Sequence, residues 1–290
     1  MIEPPPPETF LSGESGTRTG PRRVVTGAVA DAATDVLQWV TRVGRPIDRL
    51  ADAEPRRRVL VVSIYRSAGL LRQAVRELSS SRHGVELAFG AVGEANPALA
   101  SDTVVDRLDG GKFENLNHVL RELRSGADFD WAIVLDDDVV LPRRFLDRFL
   151  AVCGRFEFEL AQPALTRRSH AAWRVTRRRP LSLARETNFV EIGPVTAFGR
   201  AAAAEFLPFP ELRFGWGLDL HWSALAAARG WRVGIVDVVP VRHEHDPVAH
   251  AYDRSEAVRE AQRFLARHAY LPASAAQQTL VTHRRVPPAR

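Results

Sequence analysis

From Val59 onward, short apolar runs alternate with segments whose apolar residues recur three and four positions apart, and that alternation predicts an α/β domain. VLVVSIY (59–65), VELAFGAV (85–92) and WAIVLD (131–136) read as buried strands. GLLRQAVRELSSS, ENLNHVLREL and RRFLDRFLAVCGRF read as helices, the last introduced by Pro142. Strands separated by helices pair in parallel through crossover connections, so the pattern predicts a mostly parallel central sheet with helices on both faces. Downstream, NFVEIGPVTAF (188–198) is strand-like, FGWGLDLHWSALAAARG turns into a helix, WRVGIVDVVPVRH (231–243) is a last strand, and SEAVREAQRFLARH (255–268) is a helix with Ser255 as its N-cap.

The flanks have a different texture. Residues 1–23, MIEPPPPETFLSGESGTRTGPRR, carry too few apolar side chains to offset the entropy of ordering them, and are expected to be disordered. Residues 24–55 read as a helical extension, 56–270 as the domain and 271–290 as a tail. In the extension Val29, Val36, Leu37, Val40 and Ile47 fall on helical spacings, which suits a helix docking on the domain or on an anionic membrane surface. Asp31 and Asp35 interrupt it, so it is not a spanning segment, and the Arg22-Arg23 pair before it makes a poor export signal. A cytoplasmic protein, peripheral at most at the inner face of the membrane, is the expectation.

Charge changes this picture little. The net charge of +5 invites a nucleic-acid partner, but Lys112 is the single lysine and 39 of the 40 basic residues are arginines scattered along the chain, a bias that a GC-rich genome explains. No nucleic acid is expected. One cysteine, Cys153, excludes an intramolecular disulfide framework and a multi-cysteine zinc site. The oligomeric state is not legible.

Candidate chemistry concentrates where WAIVL ends in Asp136, Asp137 and Asp138. Carboxylates this close repel by roughly 1 kcal/mol in water and by more where water is scarce, so the cluster calls for full solvation or a cation. In open parallel sheets ligands bind beyond the carboxyl ends of strands, which is where these three residues stand. Two carboxylates flanking one residue can hold a divalent cation that in turn neutralises diphosphate oxygens. Further candidates are His243 and His245 after the last strand as metal or diphosphate contacts, and Trp216 as an aromatic face between two glycines. Lys112 is a candidate phosphate contact. The basic loop RRSHAAWRVTRRRP (167–180) could close over a diphosphate.

GGKFENLNHVL (110–120), WAIVLDDDVVLPRRFL (131–146) and FGWGLDLHWSALAAARGWRVGIVDVVPVRH (214–243) follow one another in an order and spacing that resembles family 2 glycosyltransferases with the GT-A fold, over residues 58–245. The resemblance implies transfer of a sugar, of hexosyltransferase type, from a nucleotide-diphosphate donor to a glycan, lipid-linked or small-molecule acceptor with inversion, using Mn2+ or Mg2+. It implies Asp136 and Asp138 as the D-x-D pair, with His243, at the metal; Asp137, Lys112 and Glu94 at the donor; Trp216 and Gly217 at the acceptor; and Asp219 as catalytic base, with Glu191 or Asp237 as fallbacks. The chain departs from the family by having Leu218-Asp219 in place of Glu-Asp. Only Gly93 and Glu94 stand where an Asp-rich nucleobase motif is usual, which leaves the nucleotide open. Two rivals remain. AIVLDDDVV also fits the first motif of haloacid dehalogenase-like phosphohydrolases, but no lysine or later acidic pair follows it. A catalytically silent GT-A-like binding module is the other, and retention of Asp219 beside the D-x-D argues against it.

Overall fold

The computed structural model describes residues 3–12, 14, 20–123, 128–244 and 253–287. Its centre is a sheet in which β10 (Thr279–His283), β7 (Ala184–Thr187), β9 (Arg232–His243), β6 (Phe158–Leu165), β8 (Val195–Gly199), β4 (Trp131–Leu135), β1 (Arg58–Tyr65), β2 (Gly84–Ala91) and β3 (Thr103–Val105) lie side by side in that order. All but β7 and β8 point the same way, so the sheet is mostly parallel as expected. The two-residue strand β5 (Val139–Val140) pairs off this path with the end of β9.

Alternation along β1 divides the core. Val59 and Val61 face one hydrophobic cluster with α2 (Arg45–Ala53), α3 (Ala68–Ser79) and α5 (Phe145–Phe156), while Leu60 and Val62 face a second with α4 (Lys112–Arg121), α6 (Arg200–Phe206), α7 (Leu218–Arg229) and α8 (Arg254–Leu265). Burial on both faces explains why β1 and β4 read as unbroken apolar runs.

Several expectations differ from the structure, among them the N-cap of α8, which is Asp253 and not Ser255. NFVEIGPVTAF is not one strand: β7 ends at Thr187 and β8 begins at Val195, and the intervening turn carries Glu191. Gln162 and Pro163 hide β6, an inner strand, because proline cannot donate to a ladder; the register with β9 slips between Pro163 and Leu165, where a bulge accommodates it. The tail holds α9 (Ala273–Ala276) and β10, which extends the sheet antiparallel to β7. Residues 3–12 are ordered against the domain: Phe10 is 2% exposed in the second cluster, and Gln262 donates to the Pro5 carbonyl at 3.0 Å. A single buried phenylalanine and prolines that limit unfolded-chain freedom supply what composition alone did not suggest.

The helical extension is α1 (Pro21–Thr41), followed after a break by α2. It docks on the domain through its polar side. The Asp31 carboxylate accepts the amides of Arg167 and Arg168 at 2.8 and 3.2 Å, and Arg178 donates to Asp35 at 2.6 Å and to Gln38 at 2.7 Å. Gly27 lies so close to the backbone of Arg167 and Arg168 that a Cβ there would come within 2.7 Å of it. The basic loop is therefore clamped beneath α1, with Arg178 only 4% exposed, and is not the open lid its charge suggested.

Candidate active site

The carboxyl ends of β1, β2 and β4 open into a cavity of about 450 Å3. Asp136, Asp137 and Asp138 sit on its floor because β4 ends at Leu135, and the Asp136 amide is anchored on the Pro194 carbonyl at 2.8 Å. Asp137 turns back toward β1: its Oδ2 accepts the amides of Arg66 and Ser67 at 2.8 and 3.1 Å, while burial raises its pKa. Asp138 leads into β5, whose pairing sets Val139 opposite His243 on β9 and so brings His243 Nε2 to 3.0 Å from Asp138 Oδ1. Burial pulls the imidazole pKa down, and the hydrogen bond and charge of Asp138 outweigh it, for a net rise. Lys112, the first residue of α4, reaches in to place Nζ 2.6 Å from Asp136 Oδ1 and 2.9 Å from the Ile192 carbonyl.

One ligand atom from each of Asp136, Asp138 and His243 lies within 4.8 Å of the other two. Two hard carboxylates and one imidazole form a donor set that suits Mn2+ and admits Mg2+. The donors now beside the carboxylates, Lys112 Nζ and His243 Nε2, stand where a cation's charge would act. Gly193 makes room for this cluster, since a Cβ there would meet Asp136 Oδ2 at 2.7 Å and Lys112 Nζ at 2.8 Å.

Another part of the wall is built from the turn before α7. Glu260 on α8 accepts the amides of Arg213, Phe214 and Gly215 at 2.7, 2.9 and 2.9 Å, which fixes the FGWG turn. Gly217 caps α7 at φ +86°, a left-handed conformation that favours glycine, and a Cβ there would also press on the Leu265 side chain at 2.9 Å. Trp216 and Gly217 line the cavity, the tryptophan half-buried with the Arg254 guanidinium 6.0 Å from its ring centroid. Asp219 follows in the first turn of α7 and also lines the cavity at 6% exposure. Its Oδ1 accepts the Leu220 amide at 2.9 Å, and burial, reinforced by the Glu191 charge, pushes its pKa up to about 8. Glu191 accepts the Trp173 amide and the Thr176 hydroxyl, both at 2.8 Å, and burial pushes it up to about 7.

The structure thus gathers Lys112, Asp136, Asp137, Asp138, Trp216, Gly217, Asp219 and His243 around one cavity. Glu94 is not brought in: its side chain is 85% exposed beside Arg107, with its Oε1 3.6 Å from the guanidinium, because the chain turns outward at Gly93. Asp237 is fully buried in an ion pair with Arg185 at 2.8 Å and is absent from the lining. His245 lies outside the described residues. Among the lining residues not anticipated as such are Phe10, Arg66 and His170, whose pKa burial and the neighbouring His243 lower to about 4. Only His170 carried a signal, a histidine within a loop of arginines.

No protein-family model matches the chain, and no curated protein matches it in sequence. Solved structures match in fold. S. aureus TarS 1-349 in complex with UDP-GlcNAc superposes with a TM-score of 0.50 at 14% identity, covering 72% of this chain and 65% of that one. GalNAc-T7 with UDP, GalNAc and Mn2+ gives a TM-score of 0.49 at 11% identity over 66% of this chain and 44% of that one. The chain therefore spans less than two thirds of either neighbour. The fold is the mixed α/β GT-A fold.

Proposed function

We propose that the chain is a metal-dependent, inverting glycosyltransferase of the family 2 kind, moving a hexose from a nucleotide-diphosphate donor to a glycan, lipid-linked or small-molecule acceptor. The observation that carries this reading is the Asp136, Asp138 and His243 group beyond the carboxyl end of β4, within a ligand-sized cavity of a GT-A fold. Those three residues would hold Mn2+ or Mg2+, which when bound supplies countercharge to the leaving diphosphate. Lys112 is suited to a diphosphate oxygen, and Asp137 to orienting the β1 end beside the donor ribose or sugar. Trp216 and Gly217 are suited to the acceptor. Asp219 takes the proton of the acceptor hydroxyl as its oxygen bonds to the anomeric carbon and the diphosphate departs from the opposite face. We assign residues 56–283 to the transferase domain, with β10 as a strand of its sheet, and place the protein in the cytoplasm.

Uridine nucleotides are the first to try, since the TarS neighbour was determined with UDP-GlcNAc. Isothermal titration of UDP and GDP with and without Mn2+ tests the donor site. Metal-dependent binding of one nucleotide is expected, and binding of neither in any metal sinks the assignment.

A further inference from the structure

Helix α1 is amphipathic the wrong way round for a helix that belongs to one domain alone. Its docked side is Gly27, Asp31, Thr34 and Gln38, joined to the basic loop by charge and hydrogen bonds. Its outer side is apolar: Val25, Val29, Val36, Trp39 and Val40 are each between 61% and 80% exposed. At 100° per residue those five fall within an arc of about 100°, on the face opposite the docked one, along a helix about 30 Å long. An exposed stripe of this size on a clamped helix marks an interaction surface.

We propose that this face is a peripheral docking surface for an anionic lipid bilayer, with α1 lying in the plane of the headgroups. Charge selects the lipid. Arg22 at one end and Arg42, Arg45 and Arg49 at the other are exposed, while both acids of α1, Asp31 and Asp35, are engaged with the loop beneath. The outward arc therefore presents apolar side chains between two basic ends, with one carboxylate at its flank, Asp35, which is ion-paired to Arg178 while its side chain stays 66% exposed; this is the pattern of interfacial helices. A second copy of the chain fits poorly, because with both ends basic either a parallel or an antiparallel pairing sets arginine against arginine. Trp39, the most exposed large side chain of the stripe, suits the depth where an indole keeps its N–H wet. Among the described residues no helix is long and apolar enough to cross a membrane, so α1 lies on the surface rather than spanning it. This docking stands independently of the transferase reading, since neither the stripe nor the arginines line the cavity.

The test is co-flotation of the full chain with phosphatidylcholine vesicles made with and without phosphatidylglycerol. The chain is expected to partition into the anionic vesicles on the order of tenfold more strongly, and high salt should weaken it. V29D/V36D, at two exposed positions, should lower that partition on the order of tenfold at an unchanged melting temperature. Should the double variant fold poorly, Trp39→Ser takes its place with the same expectation. Flotation with neither vesicle type overturns the proposal. So does flotation that the variants leave intact, or a dimer in light scattering that V29D/V36D dissolves.

Discussion

The carboxylates of the cavity fall into two pairs held in opposite ways. Asp136 and Asp138 stand 2.6 and 3.0 Å from the cationic Lys112 and the imidazole of His243. Glu191 and Asp219 line the same cavity with only backbone amides and one hydroxyl as hydrogen-bond donors, and burial drives them up to about 7 and about 8. The first pair faces donor groups, the kind of setting in which carboxylates serve a divalent cation. The second has its proton affinity raised toward neutral pH, which makes it the stronger base once deprotonated. A strand end supplies the first setting, because three consecutive residues emerge from β4 into solvent-accessible space. A buried helix start packed behind the FGWG turn supplies the second.

The sharpest way to break this contrast is to remove one charge from each pair. Asp219→Asn should lower turnover on the order of 100-fold or more while leaving metal and nucleotide binding near wild type. A variant that transfers sugar at nearly the wild-type rate, or a product that keeps the donor's anomeric configuration, removes Asp219 as the base and leaves Glu191 as the remaining carboxylate of that pair. Asp138→Asn should do the reverse, weakening Mn2+-dependent nucleotide binding by roughly tenfold to 100-fold in titration. Equal metal dependence in wild type and variant would detach Asp138 from the cation.

The pH profile sharpens the contrast further. With a base whose pKa is about 8, the deprotonated fraction falls about tenfold per pH unit on the acid side, so kcat should rise with pH through 8 and level off above it. A flat profile between pH 6 and 8 would mean that proton removal does not limit turnover. Phe10 tests the cause of the shift, because it packs in the cluster that also contains Phe189, Val190, Leu218 and Leu220, around the two raised carboxyls. Phe10→Ala should admit water and move the acid limb to lower pH, with a melting temperature reduced by several degrees. An unmoved limb would show that the N-terminal strap covers the wall without drying it.

How legible each pair was follows from where its determinants lie in the sequence. Asp136 to Asp138 were visible because an apolar strand ends in them, and Lys112 because it begins a helix in a recognisable run. The GWG turn with Asp219 was visible for the same local reason. What made the second pair chemically special was not local. Glu191 sits in a turn that reads as strand, and its partners Trp173 and Thr176 belong to a loop that reads as a basic surface. Glu260 holds the FGWG turn from more than forty residues away, and its only sequence signal is its place beside Ala257, Ala261 and Phe264 on the buried side of α8. Phe10 lies in a proline-rich run whose composition suggests no structure. α1 docks on the domain by its polar side and not by its apolar one, because hydrophobic spacing cannot say that Asp31 will find the backbone amides of Arg167 and Arg168 and Asp35 the guanidinium of Arg178.

The smallest effect expected concerns stability, and its sign separates a buried neutral acid from a buried carboxylate. An aspartate titrates near 3.9 in the unfolded chain and, for Asp219, near 8 in the folded one. Below pH 4 both states are protonated and Asp219 imposes no ionisation cost. Between about 4 and 8 the unfolded chain releases the proton while the folded chain keeps it, so stability falls with pH, and above 8 the loss is complete. An asparagine side chain in its place does not titrate. The melting temperature of Asp219→Asn relative to wild type should therefore climb by a few degrees from pH 5 to pH 8, in calorimetry at fixed ionic strength. Glu191 is present in both proteins and largely cancels, apart from the repulsion it loses when Asp219 is neutralised, which steepens the rise near pH 7. Parallel curves would mean that water reaches Asp219 in the folded state, and the contrast between the two pairs would then rest on hydrogen bonding alone.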